Sequence, residues 1–325
     1  MLAARLCGTA CRGLLGKPIP SVASLRFNSG QAKTGFSRMA RRRTLKEAAM
    51  APQQGTAINM GQGALAGAAA IGLGALAFYG AGMSGEMGAV DKAVVWPQYV
   101  KDRIKDTYMY FGGSLVATAG TAAAVFRSPA AMNLVTRSGF IAIGVSIAAM
   151  IGSSMVARSI PYTPGVGSKQ LAWLAHCAVV GAVIAPICLL GGPILTRAAW
   201  YTAGMVGGLS TVAVCAPSDK FLYMGGPLAM GLGVVFCASL GSAFLPPTTA
   251  LGAGMYSIAM YGGLILFGAF LLYDTQKIIY KAERHPVGYG APPFDPVNAS
   301  ISIYMDTINI FIRIAQLMAG GNRGK

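Results

Sequence analysis

The chain has 325 residues, of which 54% are hydrophobic and only 11% charged, where a soluble domain of this size carries about 25% charged residues. That deficit excludes an ordinary water-soluble domain, and the 44 glycines agree, since helices in lipid use small residues to bring their backbones together. A net charge of +16 could point to a nucleic-acid partner, but the distribution of that charge argues against one.

Ten basic side chains (Arg5, Arg12, Lys17, Arg26, Lys33, Arg38, Arg41, Arg42, Arg43 and Lys46) precede the first acid, Glu47. The rest of the chain holds sixteen basic and ten acidic groups, a net of +6. An Arg-rich, Ser-containing, acid-free N-terminus is the composition of a mitochondrial transit peptide. Residues 1–46 are therefore expected to be a leader drawn toward a negative matrix, and the protein to be a multi-pass component of the mitochondrial inner membrane. A basic tail on some other membrane protein is the alternative.

Charge-free intervals measure the spans that follow, because a helix crossing a ~30 Å hydrocarbon core needs about 20 apolar residues. The first is expected over 61–83, followed by a loop on the intermembrane side to residue 106. Further spans are expected over 107–126, 139–157, 171–190 and 198–216. The 53 residues from Phe221 to Tyr273 carry no charge, too many for one crossing. Pro246-Pro247 divides them into spans over 224–244 and 250–273, since proline removes a backbone donor and disfavours helix in the residue before it. The eighth candidate, 297–319, mixes apolar residues with amides, hydroxyls, Asp306 and Arg313. It reads as a semi-polar helix shielded by the others. The fold class is thus all-α, a polytopic bundle of about eight helices.

Several weaker signals accompany this pattern. Trp96, Tyr99, Tyr108 and Tyr110 flank the start of the second span, as interfacial aromatics do. Gly63/Gly67 and Gly204/Gly208 have small-xxx-small spacing. Cys7 and Cys11 fall in the leader, and Cys177, Cys188, Cys215 and Cys237 are scattered singly, as small buried hydrophobes are. No His/Cys cluster has metal-ligand spacing.

Two acids stand in or beside the spans: Asp274, expected where the seventh span ends, and Asp306, near the middle of the eighth. A carboxylate at helix-centre depth costs about 2.5–3.5 kcal/mol on insertion scales and is a functional candidate by default. Asn309 and Arg313 follow Asp306 at three and seven residues, which places carboxylate, amide and guanidinium on one helical face. The plain alternative is that Asp274 is a polar residue at a helix exit and Asp306 a packing group paired with arginine.

At these two segments the sequence resembles a known family. Tyr273-Asp274-Thr275-Gln276 is similar to the Y-D-T/L-x-Q stretch of the Bax inhibitor (transmembrane Bax inhibitor motif) family. Ser302-Ile303-Tyr304-Met305-Asp306-Thr307-Ile308-Asn309-Ile310-Phe311 resembles that family's S-L-Y-L-D-F-I-N-L-F helix. The resemblance implies a seven-helix core, here 107–325, preceded by one extra span, and with the leader it points to a mitochondrial branch. It also implies a pH-sensitive Ca2+ leak in which two aspartates, here Asp274 and Asp306, share a proton and hold Ca2+ transiently. An arginine that latches to them is implied too, with Arg158 in position for it.

The leading expectation is accordingly a proton-sensitive Ca2+ pathway, a channel or a Ca2+/H+ exchanger, linked to apoptosis control and inner-membrane organisation. It is not expected to be an enzyme. No cofactor is implied beyond Ca2+ and H+ as the transported ions, and the expected partners are the lipid bilayer and other inner-membrane proteins. The alternative is a non-transporting organiser that binds partners and maintains cristae. An intramembrane serine protease, using Gly82-Met83-Ser84-Gly85 and His176, is disfavoured because Ser84 lies past the end of the first span.

Overall fold

A computed structural model describes residues 56–80, 96–136, 140–217, 220–288 and 290–321. The leader expected over 1–46 and the motif at 82–85 lie outside the described residues. The described residues form ten helices and no strand. They are α1 (Thr56–Gly80), α2 (Gln98–Arg127), α3 (Pro129–Val135), α4 (Phe140–Ser159), α5 (Ser168–Ile184), α6 (Gly192–Cys215), α7 (Gly225–Phe244), α8 (Ala250–Ser257), α9 (Gly263–Arg284) and α10 (Pro296–Gly321). A 3₁₀ segment, Ala185–Leu190, continues α5, and one π-helical turn, Ile258–Gly262, joins α8 to α9.

Six stretches meet the length and apolarity of a membrane crossing: Gln98–Arg127, Ala142–Ser159, Ser168–Leu190, Gly192–Cys215, Leu222–Phe244 and Ala250–Arg284. The polytopic all-α bundle expected from the sequence is therefore present. The first and eighth expected spans correspond to α1 and α10, with 25 and 26 residues. They are long enough to cross at 1.5 Å per residue, but they are not among the six.

Helix ends depart from the charge ruler for identifiable reasons. Pro97 precedes α2 and starts it well before residue 107. Gly191, in a left-handed conformation at φ 91°, and Pro193 start α6 on the far side of Arg197 from its expected beginning. The largest departure is α9, which runs ten residues past Asp274 to Arg284. The Pro246-Pro247 turn is as expected: α7 stops at Phe244, and the Thr249 hydroxyl caps α8 by accepting from the Gly252 N–H at 3.1 Å.

The apolar surface faces outward. Ile71, Val116, Ile151, Trp200 and Met230 are all exposed, as side chains meeting lipid rather than water would be. Inside, α10 holds the centre and packs on α2, α4, α5, α6 and α9. Leu271 and Ile278 of α9 and Ile303 of α10 form one buried cluster, and Val180, Tyr304 and Ile308 form another. The shielded semi-polar helix expected over 297–319 is this central element.

Close helix approach does not occur where the glycine spacing suggested. A Cβ on Gly63, Gly67, Gly204 or Gly208 would meet nothing within 4 Å. It occurs at Gly181, where a Cβ would come within 2.6 Å of the Thr118 carbonyl oxygen on α2. The aromatic belt also divides. Tyr110 packs edge-on against Trp173 at 5.2 Å, and Tyr108 joins the Leu271 cluster, so both face inward. Trp96 Nε1 donates to Glu283 Oε1 at 2.8 Å.

Candidate functional site: two carboxyls in a bundle cavity

α9 and α10 pack side by side, and a helix places residues three, four and seven apart on one face. On α10 that rule aligns Ser302, Asp306, Asn309 and Arg313; on α9 it aligns Asp274, Lys277 and Lys281. Both rows line one cavity of about 620 Å³, to which α4 and α7 also contribute lining residues.

The two carboxyls meet there. Asp274 and Asp306 are 5% and 6% exposed, and their side chains neighbour each other in the cavity, with Ser302 beside Asp274. A carboxyl–carboxyl hydrogen bond needs one proton between the two acids, because two carboxylates have no donor to offer each other. Asp306 Oδ2 is buried and has no hydrogen-bond partner. Lys277 Nζ lies 3.9 Å from Asp274 Oδ1, at the edge of an ion pair.

Asn309 and Arg313 form a second polar layer in the same cavity. Arg313 Nη1 donates to Asn309 Oδ1 at 3.2 Å, and Nε donates to the Ala259 carbonyl at 3.1 Å. That carbonyl lies in the π turn, whose register releases backbone acceptors from the regular ladder. The guanidinium stacks 4.6 Å over the Phe267 ring, and a Cβ on Gly263 would run into it.

Arg158, expected as a latch, lines the cavity but makes no ion pair with either aspartate. Its Nε reaches Ser154 Oγ at 3.4 Å, and its carbonyl accepts from Asn298 Nδ2. The structure thus gathers Asp274, Asp306, Asn309, Arg313 and Arg158 around one space.

Asp274 is not the exit residue of its helix. Ten further residues continue α9 beyond it, so it sits in the helix interior. Three residues missed at the sequence level also belong here: Lys277, Lys281 and Ser302. The three- and seven-residue spacing already applied to Asp306 would have found both lysines from Asp274.

A buried cation supports the cavity from outside. Lys169 is fully buried, and its Nζ reaches Asp295 Oδ2 at 2.8 Å, Asn298 Oδ1 at 2.9 Å and the Ile160 carbonyl at 2.8 Å. His176 is a packed histidine: its Nδ1 pairs with Ser153 Oγ at 2.9 Å, and its ring lies edge-on to Tyr304. The four cysteines among the described residues are all free thiols.

Comparison with known proteins fits this geometry. The family described as "Inhibitor of apoptosis-promoting Bax1" (Bax1-I) matches residues 100–323, the stretch holding α4, α7, α9 and α10. The chain belongs to the Bax inhibitor family. The rat (Rattus norvegicus) growth hormone-inducible transmembrane protein is 55% identical over 303 residues, covering 92% of this chain and 85% of the relative. A Helicobacter pylori protein described as uncharacterized is 29% identical over 224 residues, covering 66% of this chain and 85% of its own length. Human Bax inhibitor 1 is 26% identical over 170 residues, covering 51% of this chain and 67% of the relative. No solved structure matches. The family match begins at residue 100, so α1 stands outside the part shared with the Bax inhibitor family.

Among the described residues no group of three or more His, Cys, Asp or Glu side chains could hold a metal ion. Two carboxylates supply fewer oxygens than the about six to eight that Ca2+ takes. Any divalent ion at Asp274 and Asp306 would need its coordination completed by water and neutral oxygens.

Proposed function

We propose that this protein is a proton-sensitive Ca2+ pathway, a channel or a Ca2+/H+ exchanger, with Asp274 and Asp306 as its shared proton and cation site. One observation carries the reading: two buried carboxyls in contact within a cavity of an apolar bundle, where a lone charge would be expensive. With one proton the pair is a compact hydrogen-bonded unit. Without it the pair carries two like charges, which separate or recruit a cation.

The sign follows directly. Acidification fills the pair with protons and removes the charge that attracts Ca2+, so flux falls as pH falls. Alkaline conditions expose both carboxylates and raise it. For the reconstituted protein in liposomes, Asp274→Asn and Asp306→Asn should each lower Ca2+ flux by roughly tenfold, the effect of about 1.4 kcal/mol of lost ion stabilisation, and flatten its pH dependence. Unchanged flux and pH profile in both variants would reject the pathway. Rescue of inner-membrane morphology by the double variant would then favour the non-transporting organiser.

The inner mitochondrial membrane is proposed as the site of action on the basic, acid-free composition of residues 1–46. Residues 1–46 fused to a soluble reporter should carry it into the matrix; a cytosolic reporter would count against that address.

A further inference from the structure

The cavity that holds the two acids is, on balance, positive. Arg158, Lys277, Lys281 and Arg313 all line it, against Asp274 and Asp306. The excess is two charges with both carboxyls ionised and three with one proton between them. Arg313 is engaged with Ala259, Asn309 and Phe267. The other three cations are poorly compensated. Arg158 has only a 3.4 Å contact to Ser154 Oγ, and Lys277 is 3.9 Å from Asp274. Lys281 makes no ion pair among the described residues. In a low-dielectric bundle such an excess draws in a counter-ion.

The walls indicate where that counter-ion comes from. α4 packs on α5 and α10, whereas α7 packs on α8, the π turn and α9. The cavity therefore opens sideways between α4 and α7. Leu232 and Phe236 line it from α7, and both are exposed. A cationic recess with an apolar doorway into the bilayer matches an amphiphile with an anionic head.

We infer that this recess binds the phosphate of an anionic phospholipid, held by Arg158, Lys277 and Lys281, with an acyl chain along Leu232 and Phe236. Phosphate suits these donors, since a guanidinium forks onto two of its oxygens and ammonium groups add point charges. The bound headgroup neutralises charges that otherwise repel a divalent cation from Asp274 and Asp306, so it also serves the pathway proposed above. Its test is a binding measurement needing no ion flux, so the two ideas fail separately.

The experiment titrates the detergent-purified full chain with phosphatidylglycerol or phosphatidylcholine and reads lipid occupancy by native mass spectrometry. Phosphatidylglycerol should bind roughly thirtyfold tighter, a preference of the size two basic side chains give an anionic lipid. The Lys277→Gln/Lys281→Gln variant should lose that preference, and Arg197→Gln, an exposed cation on α6 outside the cavity, should keep it. In the unmodified protein, a photoactivatable phosphatidylglycerol should cross-link to the Ser154–Arg158 turn of α4 and to α7 around Leu232 and Phe236, which covers the case of a double variant that fails to fold. Equal binding of the two lipids, equal loss in Arg197→Gln, or cross-links confined to other helices would overturn the assignment. Inorganic phosphate binding that depends on Lys277 and Lys281, without preference between the lipids, would assign the recess to free phosphate and overturn the lipid.

Discussion

Gly263 begins α9 directly against Arg313, and its missing side chain is what lets the guanidinium reach the Ala259 carbonyl. In an unobstructed helix, alanine in place of glycine stabilises by about 0.5–1 kcal/mol. Here the added methyl displaces a buried, stacked guanidinium, so Gly263→Ala should instead destabilise by about 1–2 kcal/mol. Thermal unfolding in detergent reads the sign, and the cost should shrink in an Arg313→Ala background, where the obstacle is gone. A stabilised Gly263→Ala protein would mean that Arg313 yields freely. The same guanidinium was visible in the sequence as part of a polar face; its stacking on Phe267 and its acceptor in the π turn were not, because both depend on how α9 and α10 dock.

Elements were legible wherever composition alone decides them. The double proline marked the α7–α8 turn, and charge-free intervals placed α4 and α7 within a few residues. The ruler failed where a charged stretch stays helical because its opposite face is buried. The second half of α9 carries Lys277, Lys281 and Arg284, yet Thr275, Gln276, Ile278, Ile279 and Ala282 are buried on its inner side. Asp274 was therefore read as an exit residue when it is interior. Glycine spacing misled for a related reason: contact depends on which face a neighbour occupies, and at Gly204 and Gly208 none is there. The inner face of α9 also fixes a connection. Gln276 Nε2 donates to the Pro217 and Ala213 carbonyls at 2.7 and 3.2 Å, while its Oε1 accepts from the Phe221 N–H at 2.7 Å. Gln276→Leu keeps the volume but strands three backbone groups, at about 1–3 kcal/mol for a buried unpaired group. The variant should unfold at a lower temperature and expose the α6–α7 connection to protease; an unchanged melting curve would count against the clamp.

At the scale of the whole molecule, the outward apolar surface and the inward polar row on α10 invert the arrangement of a soluble bundle. Thiol chemistry distinguishes the two surfaces. Cys237 is exposed on α7, within the stretch long and apolar enough to cross a membrane, whereas Cys177 is fully buried on α5. In intact membranes Cys237 should react with a lipophilic maleimide and resist a charged, impermeant reagent, and Cys177 should resist both until the protein is denatured. Rapid labelling of Cys237 by the charged reagent would place that face in water and overturn the crossing.

Lys169 and Arg313 together have a mechanical consequence. Lys169 grips α10 at its start through Asp295 and Asn298, and Arg313 ties it to the π turn near its other end. Fifteen residues separate Asn298 from Arg313, about 22 Å of helix at 1.5 Å per residue. Asp306 lies about midway. Under the proposed function, repulsion between the two acids would load α10 as a beam clamped at both ends, bowing it at its centre rather than swinging it as a gate. In the proposed pathway, a displacement that opens this site would be small, local and self-restoring, with the two clamps setting its stiffness.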